Sequence, residues 1–385
     1  MYNNNNNFNN YNSGGNPQVN PGQNPPQQGY SPYDYRGEYP AYDYRQQYYN
    51  EQPYYPPVQY GAQPGSPLDR YYAERKELKT LSNVAGICVL AFVLIQALIG
   101  FIIGLYPPFR NVYFANVDFQ NAVGIIFSVC GVLLPFVFGA LYLKGKQGTD
   151  LTPVLDPPAD KKLALLLIPV GFALCVAASY ISGFLTDLIE RTGIELIEPE
   201  TSVPGSRIGW VIYFIAIAVV PPVTEEFAVR GVVMQPLRKY GDVFAIVISS
   251  FVFGIMHGNL IQTPFAFMAG AAIGYVMCKT NSLWPGIVIH LLNNGFSVGI
   301  EFLLKYVTTP LYQNIIYYGV LAAIIICAVI SAVILVKTYG SSLKIKTNKL
   351  NTLTAGSKVR AYIITIPMLL AIAAMFYITS KYVSF

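Results

Sequence analysis

Residues 208–234 read IGWVIYFIAIAVVPPVTEEFAVRGVVM. The run is long and apolar enough to cross the hydrocarbon of a bilayer, which takes roughly 20 such residues in a helix. Yet its second half holds two adjacent prolines, two adjacent glutamates and an arginine. Ionisable side chains at that depth are costly and face a bundle interior, a cavity or a partner rather than lipid. The stretch therefore predicts a spanning helix packed among others, and an all-α fold.

Composition agrees: hydrophobic residues make up 53% of the 385, charged residues 12%, and mean hydropathy is +0.41. This is the profile of a polytopic transmembrane helical bundle. Apolar segments near 81–106, 121–143, 163–186, 208–234, 243–257, 264–279, 283–304, 312–336 and 361–380 predict about nine helices. Segments 243–257 and 264–279 are short, and either could be a tilted, partial or re-entrant helix buried by its neighbours, which would leave eight. Three membrane portions follow: 71–207, a core at 208–304 that carries the chemistry, and 305–385. Ahead of them, residues 1–70 run from Asn3–Asn7 into repeated Pro, Gln, Gly and Tyr. Such a segment cannot build a core and is expected to be a disordered cytoplasmic arm, a solvated tail in preference to a docking site for a cytoplasmic partner.

No cleavable leader pattern opens the chain, so the first apolar helix is expected to direct insertion. Basic residues accumulate on cytoplasmic loops. That rule places inside Arg70, Arg75, Lys76 and Lys79 before the first helix, then Lys144, Lys146, Lys161 and Lys162, then Arg238 and Lys239, then Lys337, Lys344, Lys346, Lys349, Lys358 and Arg360. The acidic loop with Asp187, Glu190, Glu195, Glu198 and Glu200 falls outside. The net charge of +5 reflects this bias and calls for no nucleic-acid partner. Residues 337–360 read as a topological marker in preference to a lipid-headgroup site. Cys88, Cys130, Cys175, Cys278 and Cys327 stand singly in apolar segments and read as buried free thiols. The expected location is a cell membrane, of bacterial type, with the N-terminus cytoplasmic.

Three patterns carry chemistry. Glu225, Glu226 and Arg230 form the first. Neighbouring helical residues point about 100° apart, so the two carboxylates address different targets. Arg230, four residues after Glu226, can pair with it on one face. Glu225 is left to face a cavity as a general base. The second pattern is Phe253 with His257, one helical turn apart. A hairpin turning at Gly241 sets His257 and Glu225 at one depth, since both lie the same number of residues from the turn. The third is His290 with Asn294, with Asn293 as a substitute. Only two histidines occur in the chain, and both fall in these patterns. Base, histidine-held water and two further donors for an oxyanion are equipment for amide hydrolysis.

E-E-x-x-x-R, F-x-x-x-H and H-x-x-x-N, in this order and within FAVRGVVMQPL and SLWPGIVIHLLNNG, resemble the CPBP family of intramembrane proteases, whose relatives include the CAAX prenyl endopeptidases. The resemblance covers Trp210 to Glu301. It implies an endopeptidase acting on a peptide or protein in or at the bilayer, lipidated or not, with Glu225, Glu226, Arg230, His257, His290 and Asn294 at the site. Family members are often labelled metalloproteases. A divalent metal such as zinc, if bound, would take His257, His290 and Glu225. That leaves Glu226 as base, and its pairing with Arg230 makes it a poor one, so no cofactor is required in the preferred mechanism. A non-proteolytic immunity or partner-binding scaffold is the alternative. Transport ranks lower, because no inverted repeat relates the two halves.

Overall fold

The computed structural model describes residues 66–199, 203–345 and 351–384. The arm expected over 1–70 lies outside these up to residue 65, as do Glu200, Lys346 and Lys349. Helix α1, Pro67–Leu105, opens on a reciprocal cap. The Ser66 hydroxyl accepts from the Asp69 amide at 3.3 Å, and the Asp69 carboxylate accepts from the Ser66 amide at 2.8 Å. Arg70, Arg75, Lys76 and Lys79, expected ahead of the first helix, thus lie on it. At 1.5 Å per residue α1 is about 58 Å long, nearly twice the hydrocarbon thickness, so one end projects from the membrane.

The helices that follow are α2 (Pro107–Ala115), α3 (Val117–Gln147), α4 (Lys161–Glu190), α5 (Arg207–Tyr240), α6 (Asp242–Met256), α7 (Gln262–Thr280), α8 (Trp284–Tyr306), α9 (Pro310–Tyr339), α10 (Ala355–Ile363) and α11 (Ile366–Thr379). Each of the nine apolar segments is helical. Among the described residues six helices, α1, α3, α4, α5, α8 and α9, are long and apolar enough to cross a membrane. The pair α10 and α11, bent by 74° at a short break, counts as a seventh if taken as one span. The two short segments are α6 and α7, which pack on each other, with α7 also against α4. Small residues Ala266, Ala269, Gly270 and Gly274 on the buried side of α7 let its neighbours approach closely. Helix α9 is the reverse case, with 11% of its apolar window buried. Its Cys327 is exposed, and Cys130 half-buried, so the buried-thiol expectation holds for Cys88, Cys175 and Cys278. A thiol is apolar enough to face lipid on a helix that presents most of its surface outward.

The break between α10 and α11 sits on α1. The Ser82 hydroxyl bonds the Tyr362 carbonyl and lies 2.8 Å from the Thr365 hydroxyl. One turn on, Gly86 meets the start of α11 so closely that a Cβ would stand 2.6 Å from the Met368 amide nitrogen. The far end of α11 is held too: β2 (Val383–Ser384) pairs antiparallel with β1 (Glu195–Leu196), and the Ile197 amide donates to the Tyr382 carbonyl at 3.0 Å. Replacing Gly86 by Val forces backbone apart and is expected to lower stability by about 1–3 kcal/mol. Gly100→Val, on the same helix but with open space around it, is the control. Thermal unfolding of the two variants in detergent checks this, and equal midpoints contradict it.

Candidate active site

Arg230 is wholly buried, so its donors need acceptors inside the bundle. Nη1 donates to Glu226 Oε1 at 2.9 Å, and Nη2 donates to the Gly270 carbonyl of α7 at 3.0 Å. The guanidinium carbon lies 4.5 Å from the centre of the Phe253 ring of α6, a cation–π contact. Residue 270 is glycine for a steric reason. A Cβ there would come within 3.1 Å of Arg230 Nη2, 3.2 Å of the Phe253 ring and 3.3 Å of the Ser250 hydroxyl. Glu226 is equally buried, and its Oε1 accepts a second bond, from His290 Nδ1 of α8 at 2.9 Å. Its other oxygen faces Gly286, where a Cβ would stand 3.4 Å away. One carboxylate oxygen thus joins α5 to α8, and one guanidinium joins α5 to α6 and α7.

Glu225 points elsewhere. Its side chain is 23% exposed and lines a cavity of about 300 Å³ together with Phe253, His257, Asn259 and Gln262. His257 caps the C-terminal end of α6, and its Nδ1 lies 2.9 Å from the Phe253 carbonyl. A carbonyl only accepts, so Nδ1 carries the proton and Nε2 keeps its lone pair when the ring is neutral. The turn after His257 is fixed by Asn259, whose amide group donates to the His257 carbonyl at 3.0 Å and to Gln262 Oε1 at 3.1 Å. Glu225 and His257 therefore share a cavity, with the hairpin turning at Gly241, whose φ is +117°. The hairpin is pinned by Arg238 Nε donating to Asp242 at 3.0 Å.

His290 sits differently from its expected place beside Asn294. It packs edge-on to Phe253, with ring centres 5.9 Å apart, and its Nε2 is 3.8 Å from Glu225 Oε2. His290 therefore stands between the two glutamates. Asn294 Nδ2 donates to the Ile217 carbonyl at 2.9 Å, and its Oδ1 accepts from Asn293. That carbonyl is an orphan. Residues 215–219 are π-helical, and the α-helical donor to residue 217 would be the amide of 221, the π-helical donor that of 222. Both positions are proline and have no N–H. Asn294 supplies the missing donor and locks α8 to α5 at the prolines.

The residue set for a metal is only partly suitable. Each histidine directs Nδ1 to an acceptor, the arrangement that steers Nε2 toward a ligand role. Among the described residues, however, no three His, Cys, Asp or Glu side chains converge closely enough to hold an ion, His257, His290 and Glu225 included. Sequence reading did not find Gly270, Asn259 or the Ile217 contact. The small-residue run AGAAIG at 269–274 was the one available signal, for Gly270.

Removing the guanidinium leaves Glu226 as a buried charge without its cation, a loss of about 3–5 kcal/mol. Arg230→Met is therefore expected to lower the unfolding midpoint sharply. The double variant Arg230→Met/Glu226→Leu is expected to recover most of that loss. Thermal unfolding in detergent measures both.

Residues 207–296 match the family model of the Type II CAAX prenyl endopeptidase Rce1-like proteins. Over 197 residues, 49% of this chain and 77% of the relative, the chain is 25% identical to the membrane-embedded CAAX protease MroQ of Staphylococcus aureus (strain USA300). It is 26% identical over 143 residues, 35% of this chain, to YdiL of Bacillus subtilis (strain 168), whose name assigns it provisionally to the membrane peptidases. The chain spans just over half of YdiL, 56% of its length. No solved structure matches the chain. All six motif residues from Glu225 to Asn294 fall within the matched segment, so the part of this membrane protein that carries the candidate site is the part similar to the Rce1-like CAAX prenyl endopeptidases.

Proposed function

We propose that the chain is an intramembrane endopeptidase that hydrolyses a peptide bond of a membrane-associated or lipidated protein, with Glu225 as general base. The observation that supports this most is the division between neighbours. Glu226 is buried and bonded to Arg230 and His290, whereas Glu225 opens on a cavity lined by Phe253 and His257.

Glu225 Oε2 and His290 Nε2 are 3.8 Å apart, too far for a direct hydrogen bond. The gap suits one water about 2.8 Å from each. In this mechanism Glu225 takes a proton from that water as its oxygen attacks the carbonyl carbon, and passes the proton to the departing amine. His257, with Nε2 uncommitted, orients the water. The tetrahedral oxyanion falls to Asn294, since His290 gives Nδ1–H to Glu226 and turns Nε2 toward Glu225. Asn294 has a second amide hydrogen besides the one given to Ile217. No step is routed through a metal, since the residues do not gather around one. The location proposed is a cell membrane of bacterial type with a cytoplasmic N-terminus, from the distribution of basic residues.

Glu225→Gln keeps the shape and removes the base. It is expected to abolish the new peptide termini that membrane proteomics finds in cells carrying the native chain, with the unfolding midpoint unchanged. Full cleavage in that variant sinks the assignment of Glu225 as base. Asn294→Ala is expected to lower turnover per folded molecule by roughly 10²- to 10³-fold. It should also destabilise by about 1–3 kcal/mol through the orphaned Ile217 carbonyl. A stability loss alone, with turnover intact, assigns Asn294 to the cap and not to the oxyanion.

A further inference from the structure

The cavity holding Glu225 and His257 is not built by residues 207–296 alone. Phe92 enters from α1, Phe127 from α3, Met375 and Ile378 from α11, and Tyr382 from beside the β1–β2 pair. Met375 and Ile378 are the ones that press on the turn after His257. A Cβ on Gly258 would stand 3.0 Å from Ile378 Cγ2 and 3.3 Å from the Met375 methyl. Three residues apart, they share one face of α11. Phe376 and Tyr377 between them are 62% and 65% exposed, on the outward face. The helix has little freedom to retreat, with its start docked on Ser82 and Gly86 and its end tied through β2 to β1.

A cavity of about 300 Å³ lies at the small end for ligand sites. In so small a site each methylene of wall or ligand counts, with discrimination of roughly 10- to 200-fold per methylene in an apolar pocket. We propose that α11 is the specificity wall of this site: Met375 and Ile378 set the size of an apolar substrate side chain that lies beside His257. Substrate side chains larger than this wall admits are then excluded from the place beside His257. This rests on the hydrolytic reading of Glu225. It deepens that reading with residues outside the segment that matches the family model.

The test uses the full-length protein in liposomes with a pool of membrane-anchored peptides in which one residue runs through Ala, Val, Leu, Phe and Trp. New termini are read by mass spectrometry. Met375→Ala and Ile378→Ala are each expected to shift preference toward Phe and Trp by roughly 10-fold or more. A second arm needs no turnover. In the E225Q background, photoreactive benzoylphenylalanine at position 378 is expected to capture the peptides, and at outward-facing position 376 to capture none. Capture from 378, with no Glu225-dependent cleavage by the native chain, sinks the hydrolytic reading and keeps the wall. Glu225-dependent cleavage with an unchanged size profile in both variants overturns the wall and keeps the reading.

Discussion

A guanidinium held out of water needs acceptors within reach, and in this bundle that need fixes how four helices meet. Arg230 takes a carboxylate from its own helix, a carbonyl from α7 and a ring face from α6. Glu226 then takes His290 from α8. Without water in the membrane to compete, each bond is strong and each omission severe. The geometry of the site is set by this buried group rather than by the residue assigned to the chemistry. Glu225 is free to face the cavity because Glu226, one position on, takes both Arg230 and His290 on one carboxylate oxygen.

Much of this was legible in the chain. Hydropathy marked nine segments that are all helical, because a helix in lipid satisfies its own backbone and needs only an apolar surface. Pairing of Glu226 with Arg230 followed from a four-residue spacing. What was not legible comes from departures from regular helix. Residues 215–219 and 227–234 of α5 are π-helical, so face assignments made at 3.6 residues per turn drift across them. His290, read as the companion of Asn294 on the carbonyl side, in fact reaches back to Glu226 while Asn294 turns to Ile217. A proline pair announces an orphaned carbonyl in any sequence, but nothing local says which distant side chain will answer it. The wall contributed by α11 is likewise set by tertiary docking on Ser82 and Gly86, far away in the chain.

Glycine has a consistent use here. At 270 the missing Cβ makes room for Arg230, at 286 for Ile273 of α7, and at 86 for the backbone of α11. Helices in a membrane gain nothing from hiding apolar surface from lipid, so close approach and polar contacts do that work. Small residues and the buried ion cluster are therefore two halves of one packing solution. The polar groups need short distances, and the glycines permit them.

The ion cluster also bears on the order in which the chain can enter the membrane. Arg230 at the middle of a lone helix carries an insertion penalty of about 2.5–3.5 kcal/mol on translocon scales. Glu226 relieves part of it locally, but the Gly270 carbonyl lies 40 residues downstream and His290 lies 64 beyond Glu226. During synthesis α5 therefore emerges before the helices that complete its charge pairing exist. It has to wait beside the translocon or against α1, α3 and α4 until α7 and α8 follow. The residues that make the finished site rigid thus make its assembly a delayed step, with α5 the last of the early helices to be released into lipid.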